Sequence, residues 1–266
     1  RRYFRMLYCR LQTANGPRYA SIENHEGAPW ATALIAAPPE SRVAYDIAEA
    51  FTPIALAEAT LLPPVEPSKI VCVGRNYRDH AAELGNEVPA EPLLFFKPPS
   101  SLLAPGDTIR MPAQSSRVDF EGELAVVIGR QARALKADAD LRPYIRGYTI
   151  VNDVTARDLQ KKDGQWTRAK GFDTFCPCGP IVSSELNPAA GVIVETRLNG
   201  ERKQYGITRD FIFLIPHLLV YITAAMTLEP GDLIPTGTPA GVGPMAAGDT
   251  VEVGIEGLGI LRNPVA

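Results

Sequence analysis

Apolar and polar positions alternate over Val118-Asp-Phe-Glu-Gly-Glu-Leu-Ala-Val-Val-Ile128 more regularly than anywhere else that carries charge. A period of two predicts a strand. One face holds Val118, Phe120, Gly122, Leu124, Val126 and Ile128, and the other Asp119, Glu121, Glu123, Ala125 and Val127. Same-face neighbours on a strand lie roughly 7 Å apart, and the longer side chains of Glu121 and Glu123 can reach one common point between them. Two anions about 4 Å apart at an effective dielectric near 20 repel by about 4 kcal/mol. A divalent cation between them turns that repulsion into binding. The alternative is a solvated acidic face, the usual fate of charged residues, and the strand by itself leaves both readings open.

Residues 8–11 and 18–22 read as strands around the turn signal Asn15-Gly16. Residues 45–59 form a weaker helical or mixed segment, followed by the linker-like Leu61-Leu-Pro-Pro-Val-Glu-Pro67. Residues 1–66 are therefore expected to form a small β-rich domain, and residues 67–266 a larger one. Residues 69–74 predict a strand that runs into a short helix over 75–85, stopped by Gly85. His80 and Glu83 share a face of that helix, which at two or three turns is marginal unless something packs on it. Strands are expected at Leu93–Lys97 and over residues 147–151, the latter ending in Asn152-Asp153 with a helix over 155–162 behind it. At that strand end Asp153 is either a functional carboxylate or an N-cap. Residues 192–198 and 202–205 flank Asn199-Gly200, a hairpin signal. Pro216 opens a helix that runs to about Thr227, and strands over 250–255 and 259–261 close the chain. The glycine-rich stretch over 229–243 lacks the lysine and the spacing of a nucleotide-binding loop. Many strands with three or four short helices, without regular βαβ alternation, predict an α+β fold.

Composition narrows the function classes. The chain has 266 residues, 45% hydrophobic and 21% charged, which suits one large domain or a large one with a small companion. A net charge of −3 offers no basic footprint, so no nucleic-acid partner is expected. The apolar run over 211–226 is interrupted by Pro216 and His217 and falls short of the roughly 20 residues a bilayer requires, so no membrane association is expected. The basic start, Arg1-Arg-Tyr-Phe-Arg, leads into no apolar signal core, and Met6 is a candidate first residue. Cys9, Cys72, Cys176 and Cys178 are too scattered for a disulfide framework, and Cys176-Pro-Cys178 lacks the two-residue spacing of a zinc or redox pair. A cytoplasmic location follows as the expectation.

Six segments in order give the chain a family likeness: Gly74-Arg-Asn-Tyr-Arg-Asp-His-Ala-Ala-Glu83, Phe95-Phe-Lys-Pro-Pro-Ser100, Val118-Asp-Phe-Glu-Gly-Glu-Leu124, Asn152-Asp-Val-Thr-Ala-Arg-Asp158, Trp166-Thr-Arg-Ala-Lys170 and Thr236-Gly-Thr-Pro-Ala-Gly-Val-Gly243. Together they resemble the fumarylacetoacetate hydrolase family, from about Lys69 to the C-terminus. The resemblance implies a mixed β-sheet roll or pseudo-barrel with a few short helices, beside the small N-terminal β-rich domain, and a homodimer. It implies Mg2+ or Mn2+ held by Glu121, Glu123 and Asp153, an all-oxygen set that leaves positions for water and substrate. Asp119 is then a hydrogen-bonding neighbour of the ligands. The resemblance also implies a mobile lid carrying the pair His80 and Glu83, a catalytic Lys170, and substrate contacts at Arg75, Tyr77, Lys97, Gln160 and Thr238. Cys178 and Pro235 depart from the pattern, and Pro235 is expected to tilt the loop that follows it.

The implied activity is on 2-oxo acids, through an enolate that the ion stabilises. Hydrolysis of a C–C bond in an acylpyruvate or fumarylpyruvate is the first expectation, with His80 taking a proton from the attacking water and Lys170 holding the oxyanion or the substrate carboxylate. Oxaloacetate decarboxylation and isomerisation of 2-hydroxyhepta-2,4-diene-1,7-dioate in aromatic catabolism are the alternatives. From a different class, a metal-stabilised dicarboxylate-binding protein has no use for His80, Glu83 and Lys170.

Overall fold

The computed structural model describes residues 6–36, 45–46, 50–83, 85 and 87–266. The basic start over 1–5 and part of the mixed segment over 45–59 lie outside the described residues. Among the described residues thirteen strands share the main sheet, ten along one path and Ile54–Ala55, Leu61–Leu62 and Leu102–Leu103 pairing beside it. Its path runs Tyr45–Asp46, Ala28–Ala36, Gly16–His25, Leu7–Thr13, Cys176–Ser183, Ile145–Asn152, Gly122–Ile128, Leu233–Pro235, Ile70–Gly74 and Leu93–Lys97. Most pairs are antiparallel, while Leu233–Pro235 lies parallel to Ile70–Gly74, so the sheet is mixed. Among the described residues the path does not return on itself, and no closed barrel forms. The N-terminal strands continue this sheet: Leu7 and Tyr8 pair with Ser183 and Val182, and Leu11, Ala20 and Leu34 share a core cluster with Leu124 and Leu219.

The acidic stretch is two strands, not one. Val118–Phe120 belongs to a three-stranded sheet with Thr155–Ala156 and Gly243–Met245, and Gly122–Ile128 lies in the middle of the main sheet. Glu121 is the crossing point. Its amide donates to Asn152 Oδ1 at 2.9 Å and its carbonyl accepts the Asp153 amide at 2.8 Å, so a side chain replaces one rung of the ladder. Beyond the crossing, period two still holds, but both faces are covered. Leu124, Val126 and Ile128 enter one apolar cluster, and Ala125 and Val127 another. No face of this strand is solvated.

Among the described residues there are four short α-helices: Arg78–Glu83, Arg157–Asp163, Thr167–Lys170 and Ile215–Ala225. The second starts at Arg157 rather than 155 because Thr155 and Ala156 pair with Asp119 and Val118. Its N-cap is therefore Ala156, which leaves Asp153 free of a capping role. Asn199 and Gly200 both take the positive φ (51° and 82°) that a two-residue hairpin turn requires, between Ile193–Leu198 and Glu201–Ile207. Among the described residues no helix is long and apolar enough to cross a membrane.

Candidate metal centre and active site

Register builds the carboxylate cluster. Gly122 pairs with Asn152 and Glu123 with Val151, so the next positions outward, Glu121 and Asp153, come to face each other where both strands end. One carboxylate oxygen each from Glu121, Glu123 and Asp153 lies within 4.8 Å of the others, and all three residues are buried. Three cations compensate two of them. Lys170 Nζ donates to Glu121 Oε2 at 2.9 Å and to Asp153 Oδ2 at 2.5 Å. Arg157 Nη2 donates to Glu121 Oε1 at 2.5 Å, and Lys97 Nζ to Asp153 Oδ1 at 2.6 Å.

Glu123 is different. Its carboxylate accepts the Gly237 amide at 2.8 Å and has no ion pair among the described residues, at 2% exposure. Burial, with the charges of Asp153 and Glu121 added, pushes its carboxyl well above the usual range. Burial also works against Glu121, yet Lys170, Arg157 and His80 outweigh it and hold that carboxyl well below the usual range. An under-compensated buried carboxylate beside two others is what a hard divalent cation neutralises, and an all-carboxylate set fits Mg2+ or Mn2+ by donor chemistry. Asp119, fully buried, is held by Arg117 Nε and Arg157 Nε at 2.9 Å each, and so anchors the arginine that anchors Glu121.

His80 is 4% exposed on the helix Arg78–Glu83, its Nδ1 3.4 Å from Glu83 Oε2. Glu83 in turn accepts the Gly241 amide at 3.1 Å on each oxygen, which ties the short helix to the glycine-rich loop. Gly241 allows this with φ of 102° and no Cβ, which would stand 2.0 Å from the Lys203 carbonyl oxygen. Burial lowers the His80 pKa, with Glu121 and Glu83 pulling the other way.

A cavity of about 490 Å³ holds these groups together. Glu121, Glu123, Asp153, His80, Glu83, Lys170, Arg75, Gln160 and Thr238 all line it. Tyr77 and Lys97 do not. Tyr77 packs edge-on to Phe211 at 5.0 Å with its hydroxyl unpartnered among the described residues, and Lys97 sits behind Asp153, also bonded to the Val154 carbonyl at 3.0 Å. Arg117, Arg157 and Trp166 line the cavity too, and the sequence reading assigned them no role. The signal available for Arg157 was its place four residues after Asp153, on the helix entering from the same strand end. The two departures are absorbed. Pro235 stays in the ladder opposite Ala125, the Thr236 hydroxyl donates to the Leu124 carbonyl at 2.6 Å, and the loop leaves the sheet anchored. Cys178 is a buried apolar filler opposite Val151.

Comparisons with known proteins agree with this architecture. Residues 69–266 match the family model described as fumarylacetoacetate (FAA) hydrolase C-terminal. The chain is 43% identical over 224 residues, 79% of its length and 74% of the other's, to the oxaloacetate tautomerase YisK of Bacillus subtilis. It is 47% identical over 199 residues, 71% of its length and 89% of the other's, to the mitochondrial oxaloacetate decarboxylase of Dictyostelium discoideum. Among solved structures, the 2-hydroxyhepta-2,4-diene-1,7-dioate isomerase of Mycobacterium marinum superposes with a TM-score of 0.88 at 45% identity, covering 98% of both chains. With three quarters of its length matched and Glu121, Glu123, Asp153, His80, Glu83 and Lys170 gathered in one cavity, this chain belongs to the fumarylacetoacetate hydrolase family of enzymes.

Proposed function

We propose that the chain is a divalent-cation-dependent enzyme acting on 2-oxo acids, with Mg2+ or Mn2+ held by Glu121, Glu123 and Asp153. Glu123 carries this reading, as a buried carboxylate without an ion pair among the described residues beside two others. A divalent cation bound there supplies stabilisation of negative charge on the 2-oxo oxygen of a substrate that presents keto and carboxylate oxygens together. The chain's own groups do the rest. With Nδ1 toward Glu83, a neutral His80 carries its proton on that nitrogen and leaves Nε2 bare as a base. Burial favours the neutral ring, and Glu83, held by the Gly241 amide, fixes its orientation. Nε2 then takes a proton from the carbon next to the keto group. Arg157 and Lys170 hold Glu121 and Asp153 in place. Lys97 acts on Asp153 from behind, as a positioning residue. Gln160 and Thr238 offer polar atoms to the substrate from the cavity wall.

The reaction favoured is keto–enol isomerisation of an oxaloacetate-type acid, with decarboxylation as the branch in which a β-carboxylate leaves instead of a proton. Both use one head-group site and one enolate. In the isomerisation the proton that His80 takes from carbon is returned to the enolate oxygen. In the decarboxylation no base is needed: CO2 leaves with the C–C electron pair kept in the enolate, and the carbon then takes a proton. Both are activities named for relatives of this chain. A second reading, C–C hydrolysis of an acylpyruvate or fumarylpyruvate, draws on the cavity: about 490 Å³ leaves room behind a four-carbon acid for a longer tail and a water. In that reaction His80 takes its proton from the water. A panel of oxaloacetate, acetylpyruvate and fumarylpyruvate, assayed with Mg2+ on the wild-type chain and on His80→Ala, separates the options. Oxaloacetate turnover that falls roughly 10²- to 10⁴-fold in His80→Ala is expected. Faster turnover of fumarylpyruvate than of oxaloacetate would move the assignment to hydrolysis. Retained rates in His80→Ala would remove that residue from the mechanism, and a chain inert on all three would be a binding protein.

A further inference from the structure

Three of the cations lining the cavity are engaged: Arg117 with Asp119, Arg157 with Asp119 and Glu121, and Lys170 with Glu121 and Asp153. Half-buried Arg75 and exposed Lys161 are not, having no carboxylate partner among the described residues. Lys161, in solvent, needs none. Arg75 is held in place. Its backbone is left-handed at φ 56°, a conformation that costs a side-chain-bearing residue energy and persists where the surroundings impose it. Its guanidinium lies 5.9 Å from the centre of the Trp166 ring. That ring is fixed in turn, packed edge-on to Phe95 at 5.2 Å and against Gly74, where a Cβ would stand 3.1 Å from it.

A guanidinium resting on an aromatic ring has fewer rotamers to lose, and presents its fork of N–H donors ready for a planar anion. Half out of water and without a counter-charge, it gains on meeting one. The carboxylates of the metal centre do not supply that charge, since the cations there are Lys170, Arg157 and Lys97. We infer that Arg75, seated on Trp166, receives an anionic group at the far end of the substrate, a terminal carboxylate, and so sets a preference for dianionic over monoanionic 2-oxo acids. The inference rests on the head-group reading above and assigns Trp166 as the positioning residue for Arg75.

Two keto acids of equal chain length test it. 2-Oxoglutarate and 2-oxopentanoate differ only in a terminal carboxylate against a methyl group, and oxalate reports on the head-group site alone. Binding to the Mg2+-loaded full chain is measured by calorimetry for the wild type, Arg75→Asn, which tolerates the left-handed backbone, and Trp166→Leu, which keeps the charge and removes its seat. The wild type is expected to bind 2-oxoglutarate roughly ten- to a hundredfold tighter than 2-oxopentanoate. Arg75→Asn is expected to lose that preference with oxalate affinity unchanged, and Trp166→Leu to reduce it. Equal wild-type affinities for the two keto acids, or a preference that survives in Arg75→Asn, would overturn the inference while oxalate binding left the head-group site standing. Failure of oxalate and both keto acids to bind the wild type would overturn the head-group reading and this inference together.

Discussion

At the scale of single residues the site is a problem in charge compensation. Glu121 and Asp153 have buried cations of their own at 2.5–2.9 Å, and Glu123 has a backbone amide. Lys170 is bonded to two of the proposed ligands and so helps to hold them, and the third N–H of its ammonium is left over from those two bonds. His80 illustrates a second balance. Burial lowers its pKa from the ordinary 6.5, while the charge of Glu121, and the hydrogen bond and charge of Glu83, raise it. The base works only when unprotonated, so activity falls as pH drops through the His80 pKa. Glu83→Gln removes two of the raising influences. The acid limb of kcat/KM should therefore move to lower pH, and kcat should fall about 10- to 100-fold as the ring loses its orienting partner. A limb that stays in place or moves to higher pH would dissociate Glu83 from His80.

At the scale of elements the deciding feature is the crossing of the acidic stretch from a small sheet to the large one. Where it enters the large sheet, Gly122 meets a separate sheet formed in order by Glu201–Ile207, Ile193–Leu198, Thr250–Ile255 and Gly259–Pro264: a Cβ there would stand 2.1 Å from Thr196 Oγ1 and 2.9 Å from Val253 Cγ1. Gly122→Ala should cost about 1–3 kcal/mol through overpacking, seen as a drop in Tm of about 2–4 °C for each kcal/mol. Gly254→Ala, whose Cβ would have only Ile260 at 3.9 Å, is the control and should leave Tm nearly unchanged. Equal effects would mean that the close approach at Gly122 is relieved by small shifts. Period two was enough to place Glu121 and Glu123 on one face, because side-chain direction is a local property of extended chain. The break at Glu121 was not legible, because alternation runs through it undisturbed and the cause is a hydrogen bond donated by the Glu121 amide to Asn152 Oδ1, 31 residues away. The helix at 78–83 was legible in composition. What ties it down, the Gly241 amide on Glu83, spans 158 positions and leaves no local trace.

At the scale of the molecule the long-range pairings decide which residues meet. The main sheet joins Leu7–Thr13 to Cys176–Ser183 and sets Leu233–Pro235 between the acidic strand and Ile70–Gly74, which delivers Thr238 and His80 to the same cavity. Nine of the eleven expected site residues line that cavity and Tyr77 and Lys97 do not, because a motif records position in the chain and not depth. Lys97 shows the difference: its motif position suggests a substrate contact, and its buried Nζ donates to Asp153.

If Glu121, Glu123 and Asp153 hold a divalent cation, turnover of a 2-oxo acid depends on it. Oxaloacetate turnover, followed by loss of the enol absorbance and by release of CO2, is measured on the wild-type chain and on Glu123→Gln, each before and after chelation and again after Mg2+ is returned. Chelation is expected to abolish wild-type turnover, Mg2+ to restore it, and Glu123→Gln to stay inactive with Mg2+ present. Turnover that survives complete chelation, or that persists at wild-type rate in Glu123→Gln, would contradict that dependence.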